Sequence, residues 1–159
     1  MAQEIERKFL VVSDEWRAGK ATTIRQGYLS TERERTVRIR TREDASTGAA
    51  HAYLTIKGKT TGAARAEYEY AIPLADANEM LDTLCQRPLI EKRRYVLDHA
   101  GMTWEIDEFF GENAELIMAE IELTDEAQEF ARPTWLGEEV THDHRYFNAA
   151  LAEHPYSAW

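Results

Sequence analysis

The chain has 159 residues, 43% of them hydrophobic and 10% aromatic, enough for one domain with a real core and too apolar for a disordered segment. A net charge of −10 argues against a general nucleic-acid-binding surface, and no apolar run approaches the length of a bilayer span. Cys85 is the single cysteine, which excludes an internal disulfide, and the acidic start lacks an apolar signal core; the cytoplasm is the expected address.

Side chains two apart in a strand share a face. The first expected strand, 3–11, carries Glu4, Glu6 and Lys8 on one face and Ile5 and Phe9 on the other. A second strand is expected over 23–30. The third, 35–42, carries Arg38 and Arg40; the fourth, 51–58, carries Lys57; the fifth, 65–72, carries Glu67 and Glu69. A helix is expected over 75–87, with Met80, Leu81 and Leu84 on one side and Pro88 after its end. Three more strands follow: 91–97 with Lys92 and Arg94, 102–109 with Glu105 and Asp107, and 116–123 with Glu120 and Glu122. Glycine-rich turns punctuate them, several short enough for antiparallel hairpins. Helical pieces are expected over 125–130 and 144–152, the second closed by Pro155.

The ionic face so assembled holds eight acids and six bases, a net of −2 that leaves −8 for the rest of the chain. A polyanion would therefore bind within that face. An open antiparallel sheet with one solvated face would also tolerate these charges. A solvated face, however, normally mixes Thr, Ser, Gln and Lys. The pairs Glu4/Glu6, Glu67/Glu69 and Glu120/Glu122 instead set like charges about 7 Å apart along a strand, which a divalent cation between them would relieve. Closure into a barrel would remove the sheet's edges, with a polar, water-filled interior and the packed core outside.

Glu4-Ile5-Glu6-Arg7-Lys8-Phe9 resembles the ExExK signature of the CYTH superfamily, the triphosphate tunnel metalloenzymes. An ordered series extends the resemblance from Glu4 to Pro155: Thr36-Val-Arg-Ile-Arg40, Leu54-Thr-Ile-Lys57, Glu67-Tyr-Glu69, Lys92-Arg-Arg94, Trp104-Glu-Ile-Asp107, Glu120-Ile-Glu122 and Glu139 to Tyr146. It implies an α+β, mainly antiparallel β fold: an eight-stranded closed tunnel with a charged interior and helices packed outside, as a single domain over 1–159. It also implies a small-molecule triphosphate substrate and one or two Mg²⁺ or Mn²⁺ ions. The compact chain and its EIERKF start look most like the short bacterial members that hydrolyse inorganic tripolyphosphate. No nucleic acid or membrane partner is expected, and a homodimer is left open.

Phosphoryl transfer is mostly positioning and charge stabilisation, so cations and carboxylates divide the work. Arg38, Arg40 and Arg94 suit bidentate capture of phosphates, with Lys8, Lys57 and Lys92 as point charges. Hard cations take carboxylate oxygens, so Glu4, Glu6, Glu120 and Glu122 are the first-choice metal ligands. Glu67, Glu69 and Asp107 would hold a second ion or orient the attacking water, and Glu105 reads as a structural ion pair. An ammonium among other cations has a lowered pKa. Lys8 with Tyr28, read as lying on a neighbouring strand, therefore forms a candidate proton-transfer pair. Gly58-Lys59-Thr60 ends like a P-loop, but Tyr53 stands where its first glycine belongs. His142, Asp143 and His144 read as surface groups. The rival functions are a class IV-type adenylate cyclase on the same tunnel and a non-catalytic polyphosphate- or nucleotide-binding module.

Overall fold

The structure, a computed structural model, describes residues 3–159; the expected domain over 1–159 begins with two residues outside that range. Strands β1 (Gln3–Val11), β2 (Lys20–Ser30), β3 (Arg35–Asp44), β4 (Ala50–Gly58) and β5 (Ala64–Ile72) precede helix α1 (Leu74–Thr83). Strands β6 (Ile90–His99), β7 (Met102–Phe109), β8 (Ile117–Glu122) and β9 (Leu136–Glu139) follow, then helix α2 (Asn148–Glu153). The order across the sheet is β5-β4-β3-β2-β6-β7-β8-β1, with every ladder antiparallel. β5 returns to β1 through Gln3↔Ala66, Glu4↔Arg65 and Ile5↔Ala64, which closes eight strands into a barrel. Closure overturns the open-sheet alternative. β9 takes the rest of that β1 edge, pairing at Phe9 and Val11.

Apolar faces point outward and need cover, as their alternation requires. Phe9, Trp16, Trp104, Ile106, Ile121 and Trp135 form one buried cluster, with Trp104 edge-on to Phe9 at 5.8 Å and to Trp135 at 5.5 Å. α1 buries Ala77 and Leu81 against Ile39 and Ala52. A third cluster joins Leu151 and Ala152 of α2 to Tyr28, Ile90, Phe109 and Met118. Here the wholly wet interior expected of the tunnel is corrected. Ile24 and Phe109 stand directly opposite Lys92 in their ladders, and Met118 opposite Asp107. Directly opposed residues share a face, so apolar side chains fill one end of the interior and the C-terminal segment packs against them.

α1 stops at Thr83 rather than 87 because the chain is drawn back to β2. Gln86 N donates to Tyr28 O at 2.9 Å, and Cys85 and Leu89 press on Gly27, where a Cβ would lie 2.7 Å from each. The expected helix over 125–130 is not formed. Asp125 Oδ1 accepts from Ala127 N and Gln128 Oε1 from Thr124 N, each at 2.8 Å, so side chains replace helical acceptors while Phe130 inserts edge-on to Phe9 and Trp104. The piece expected over 144–152 divides into a 3₁₀ turn (His144–Tyr146) and α2, separated by Phe147 in extended conformation. β9 was not legible: Leu-Gly-Glu-Glu has neither alternation nor β-branched residues. Among the described residues no helix is long and apolar enough to cross a membrane.

Candidate active site

The interior faces of the strands enclose a cavity of about 330 Å³, and thirteen of the fourteen ionic residues placed on one face by alternation line it. Asp107 is the exception. Arg33, Arg42, Lys59, Arg65 and Glu153 also line the cavity, so ten bases meet eight acids and the net charge is +2 rather than −2. Two of the added bases were legible in the sequence, since Arg65 shares parity with Glu67 and Arg42 with Arg40. Arg33, Lys59 and Glu153 lie outside regular strands, where parity says nothing.

The charges are segregated. One wall is acidic with interleaved lysines. Lys57 Nζ lies 2.9 Å from both oxygens of Glu4 and 3.4 Å from Glu67, and Lys8 Nζ lies 2.5 Å from Glu6 and 3.5 Å from Glu120. The ladder sets Glu6 opposite Glu122 and Lys8 opposite Glu120. Burial and then the charges of Glu4, Glu67, Glu6 and Glu105 push the Glu122 carboxyl up, the signature of negative charge in excess at that end. Glu69 lines the cavity at its exposed edge.

The other wall is cationic. Arg38 and Arg40 are buried on β3, and neither has a carboxylate within ion-pair reach among the described residues. Arg38 donates to Thr55 Oγ1 at 3.2 Å, while its Nε is buried with no partner among the described residues. Arg40 donates to Gln26 Oε1 at 2.8 Å. Burial, then Arg38 and Arg94, push the Arg40 guanidinium down to about 9, so it stays charged at neutral pH but in need of an anion.

Lys92 and Asp107 are each 1% exposed and joined at 2.7 Å, and Arg94 adds two bonds to the same carboxylate at 2.8 and 3.0 Å. With both oxygens occupied beneath the cavity floor, Asp107 is not open to a metal ion or to water. It holds Lys92 and Arg94 in place, which corrects both roles expected for it. The Lys8–Tyr28 pair is corrected as well. β6, β7 and β8 separate β1 from β2, and Lys8 lies against Glu6, Glu120 and the Phe147 ring. Burial alone would lower its pKa, but Glu120, Glu6 and Glu4 outweigh burial and raise it. Glu105 forms the expected ion pair, 3.3 Å from Arg94. His142 and His144 are exposed, Arg93 points outward, and Glu139 pairs with Arg7 outside the cavity at 2.6 Å.

The donor set fits a divalent cation by chemistry, because Glu4, Glu6, Glu67, Glu69, Glu120 and Glu122 offer hard oxygen ligands along one side of the cavity. Lysines hold Glu4, Glu6 and Glu120, and among the described residues no three acids converge on one point. Glu4, Glu6 and Glu120 would hold such an ion together with Glu122, and Lys8 and Lys57 stand beside them as countercharges.

Comparison with known proteins agrees with this geometry. An inorganic triphosphatase of Acetivibrio thermocellus is 48% identical over 157 residues, covering 98% of this chain and 97% of that protein. An inorganic triphosphatase of Nitrosomonas europaea is 38% identical over 154 residues, covering 94% and 96%. The crystal structure of an inorganic triphosphatase superposes with a TM-score of 0.66 at 35% identity, covering 94% of this chain and 97% of that one. The CYTH domain matches residues 2–156, almost the whole length, and the chain belongs to the CYTH domain family.

Proposed function

We propose that this protein is a divalent-metal-dependent hydrolase that cleaves the terminal phosphoanhydride of inorganic tripolyphosphate, acting as one domain in the cytoplasm. The observation that carries the reading is the pair Arg38 and Arg40, buried side by side on β3 without a carboxylate among the described residues. Desolvating two guanidinium groups costs several kcal/mol unless an anion compensates. A short chain of phosphates supplies several negative charges in a row and matches a cation wall built at the spacing of a strand.

Arg38 and Arg40 clamp phosphoryl oxygens by paired N–H donors, and Arg94 and Lys92 extend the wall from β6. The Glu4, Glu6, Glu120 and Glu122 carboxylates would hold Mg²⁺ or Mn²⁺, which would supply countercharge to the phosphates and polarise the phosphoryl group. Glu69 accepts a hydrogen bond from the attacking water and takes its proton. The water oxygen bonds to the terminal phosphorus, the bridging P–O bond breaks, and pyrophosphate leaves with the electron pair. The names of the relatives support the substrate.

The test is a substrate panel with Mg²⁺ or Mn²⁺: tripolyphosphate, ATP, thiamine triphosphate and pyrophosphate, with phosphate and cyclic AMP both measured. Phosphate release fastest from tripolyphosphate is expected. Cyclic AMP from ATP would overturn the hydrolase, and tight binding with no turnover would make the domain a sensor.

A further inference from the structure

A buried polar chain runs beneath the cation wall and ends on the C-terminal segment. Arg40 Nε donates to Gln26 Oε1 at 2.8 Å, Gln26 Nε2 to Asn148 Oδ1 at 2.9 Å, and Lys92 Nζ to the same Oδ1 at 2.8 Å. Both amide orientations are forced. A guanidinium only donates, so the Gln26 atom facing Arg40 is its carbonyl oxygen. Gln26 must then present its NH₂ to Asn148, and the Asn148 atom that accepts from it and from Lys92 is the oxygen. Gln26 is fully buried.

The same logic decides where the Asn148 NH₂ points. Asn148 lines the cavity, and among the described residues its NH₂ has no protein acceptor. We infer that Asn148 is a substrate-binding and positioning residue. Its carbonyl holds Lys92 and Gln26, and its NH₂ donates to a phosphoryl oxygen of the bound triphosphate. The inference rests on the triphosphate reading above and adds a neutral donor from outside the barrel. Neutrality matters: with Lys92 protonated, as a bound polyanion favours, Arg40, Lys92 and Arg94 carry three positive charges against Asp107 and the partly exposed Glu105, a surplus of +1 that an acid at 148 would cancel.

Two variants separate contact from architecture. Asn148→Asp keeps an acceptor for Lys92 and Gln26 but loses the donor and adds charge; Asn148→Ala removes both functions. Steady-state kinetics on tripolyphosphate with saturating Mg²⁺, calorimetric Kd for tripolyphosphate and thermal melting are measured on each full-length protein. KM and Kd are expected to rise about tenfold in Asn148→Ala and further in Asn148→Asp, with kcat within about threefold of wild type. If Asn148 served the fold alone, aspartate would be the milder change. That order, or KM and Kd within twofold of wild type in both, would overturn the inference. Absence of wild-type turnover would sink the hydrolase reading instead, leaving the Kd order to decide on Asn148.

Discussion

Lys8 and Glu120 face each other across the β1–β8 ladder, with Nζ 3.5 Å from Oε1. Glu6 completes a clasp from the other side at 2.5 Å, and the ammonium is held charged. A lysine so placed binds anions but does not accept a proton, and no hydrogen bond joins it to Tyr28 among the described residues. Tyr28→Phe is therefore expected to keep kcat within about threefold of wild type at saturating tripolyphosphate. A loss of a hundredfold or more would restore the tyrosine to the chemistry, since general acid–base groups contribute on the order of 10²–10⁴.

Asp107 is expected to act on stability rather than on metal. Removing one partner of a buried ion pair costs about 3–5 kcal/mol, and Asp107→Ala would strand Lys92 and Arg94. Its melting midpoint should fall by roughly 10 °C, to the same extent with and without Mg²⁺. A fall confined to Mg²⁺-loaded protein would return Asp107 to the ligands.

The uncompensated guanidinium groups predict the opposite balance. Arg38→Ala and Arg40→Ala should each raise KM for tripolyphosphate about tenfold or more while leaving the melting midpoint unchanged or higher, because each removes a buried charge without a carboxylate partner. Arg→Lys should not rescue, since lysine lacks the paired donors. Full rescue by lysine would show that charge alone matters there.

Glu122 gives a pH dependence of definite sign. Its carboxyl is pushed up in the folded protein, so the native state holds a proton there that the unfolded chain has already lost. Its contribution to stability is present at low pH and lost as pH rises through the folded pKa. Without metal, Glu122→Gln should melt higher than wild type near neutrality, and the gap should close on acidification. Mg²⁺ should reverse it by stabilising wild type more. An unchanged gap across the acid limb would refute the assignment.

Burial pushes the Lys92 ammonium down, Asp107 opposes, and Arg94 and Arg40 add to the push, leaving it at about 7. A polyanion on the cation wall raises it again. Binding of tripolyphosphate between about pH 7 and 8 should accordingly take up protons at Lys92. Calorimetry in buffers of different ionisation heat, with Lys92→Met subtracted, measures the uptake; equal proton counts in both proteins would exclude it.

Odd–even alternation was enough to place fourteen ionic residues on one face, thirteen of which line the cavity, because a strand's side-chain period is a local property of its backbone. It was equally able to find Arg65 and Arg42. Asp107 shows the limit. Parity put it inward correctly, but whether an inward acid meets metal or a lysine depends on depth, and depth depends on what fills the end of the barrel. Lys8 and Tyr28 show another: strand neighbours in sequence are not neighbours in the sheet when β2 pairs with β6.

The amino-acid order alone therefore determined the strand faces and the ionic side chains those faces hold. Tertiary structure alone decided the closure of β5 on β1, the dry end of the interior and the orientation of the amides of Gln26 and Asn148, which meet across 122 residues of chain. The reason is range. Alternation acts over two residues, whereas which cation keeps a partner and which waits for a phosphate follows from contacts that exist only after the barrel has closed.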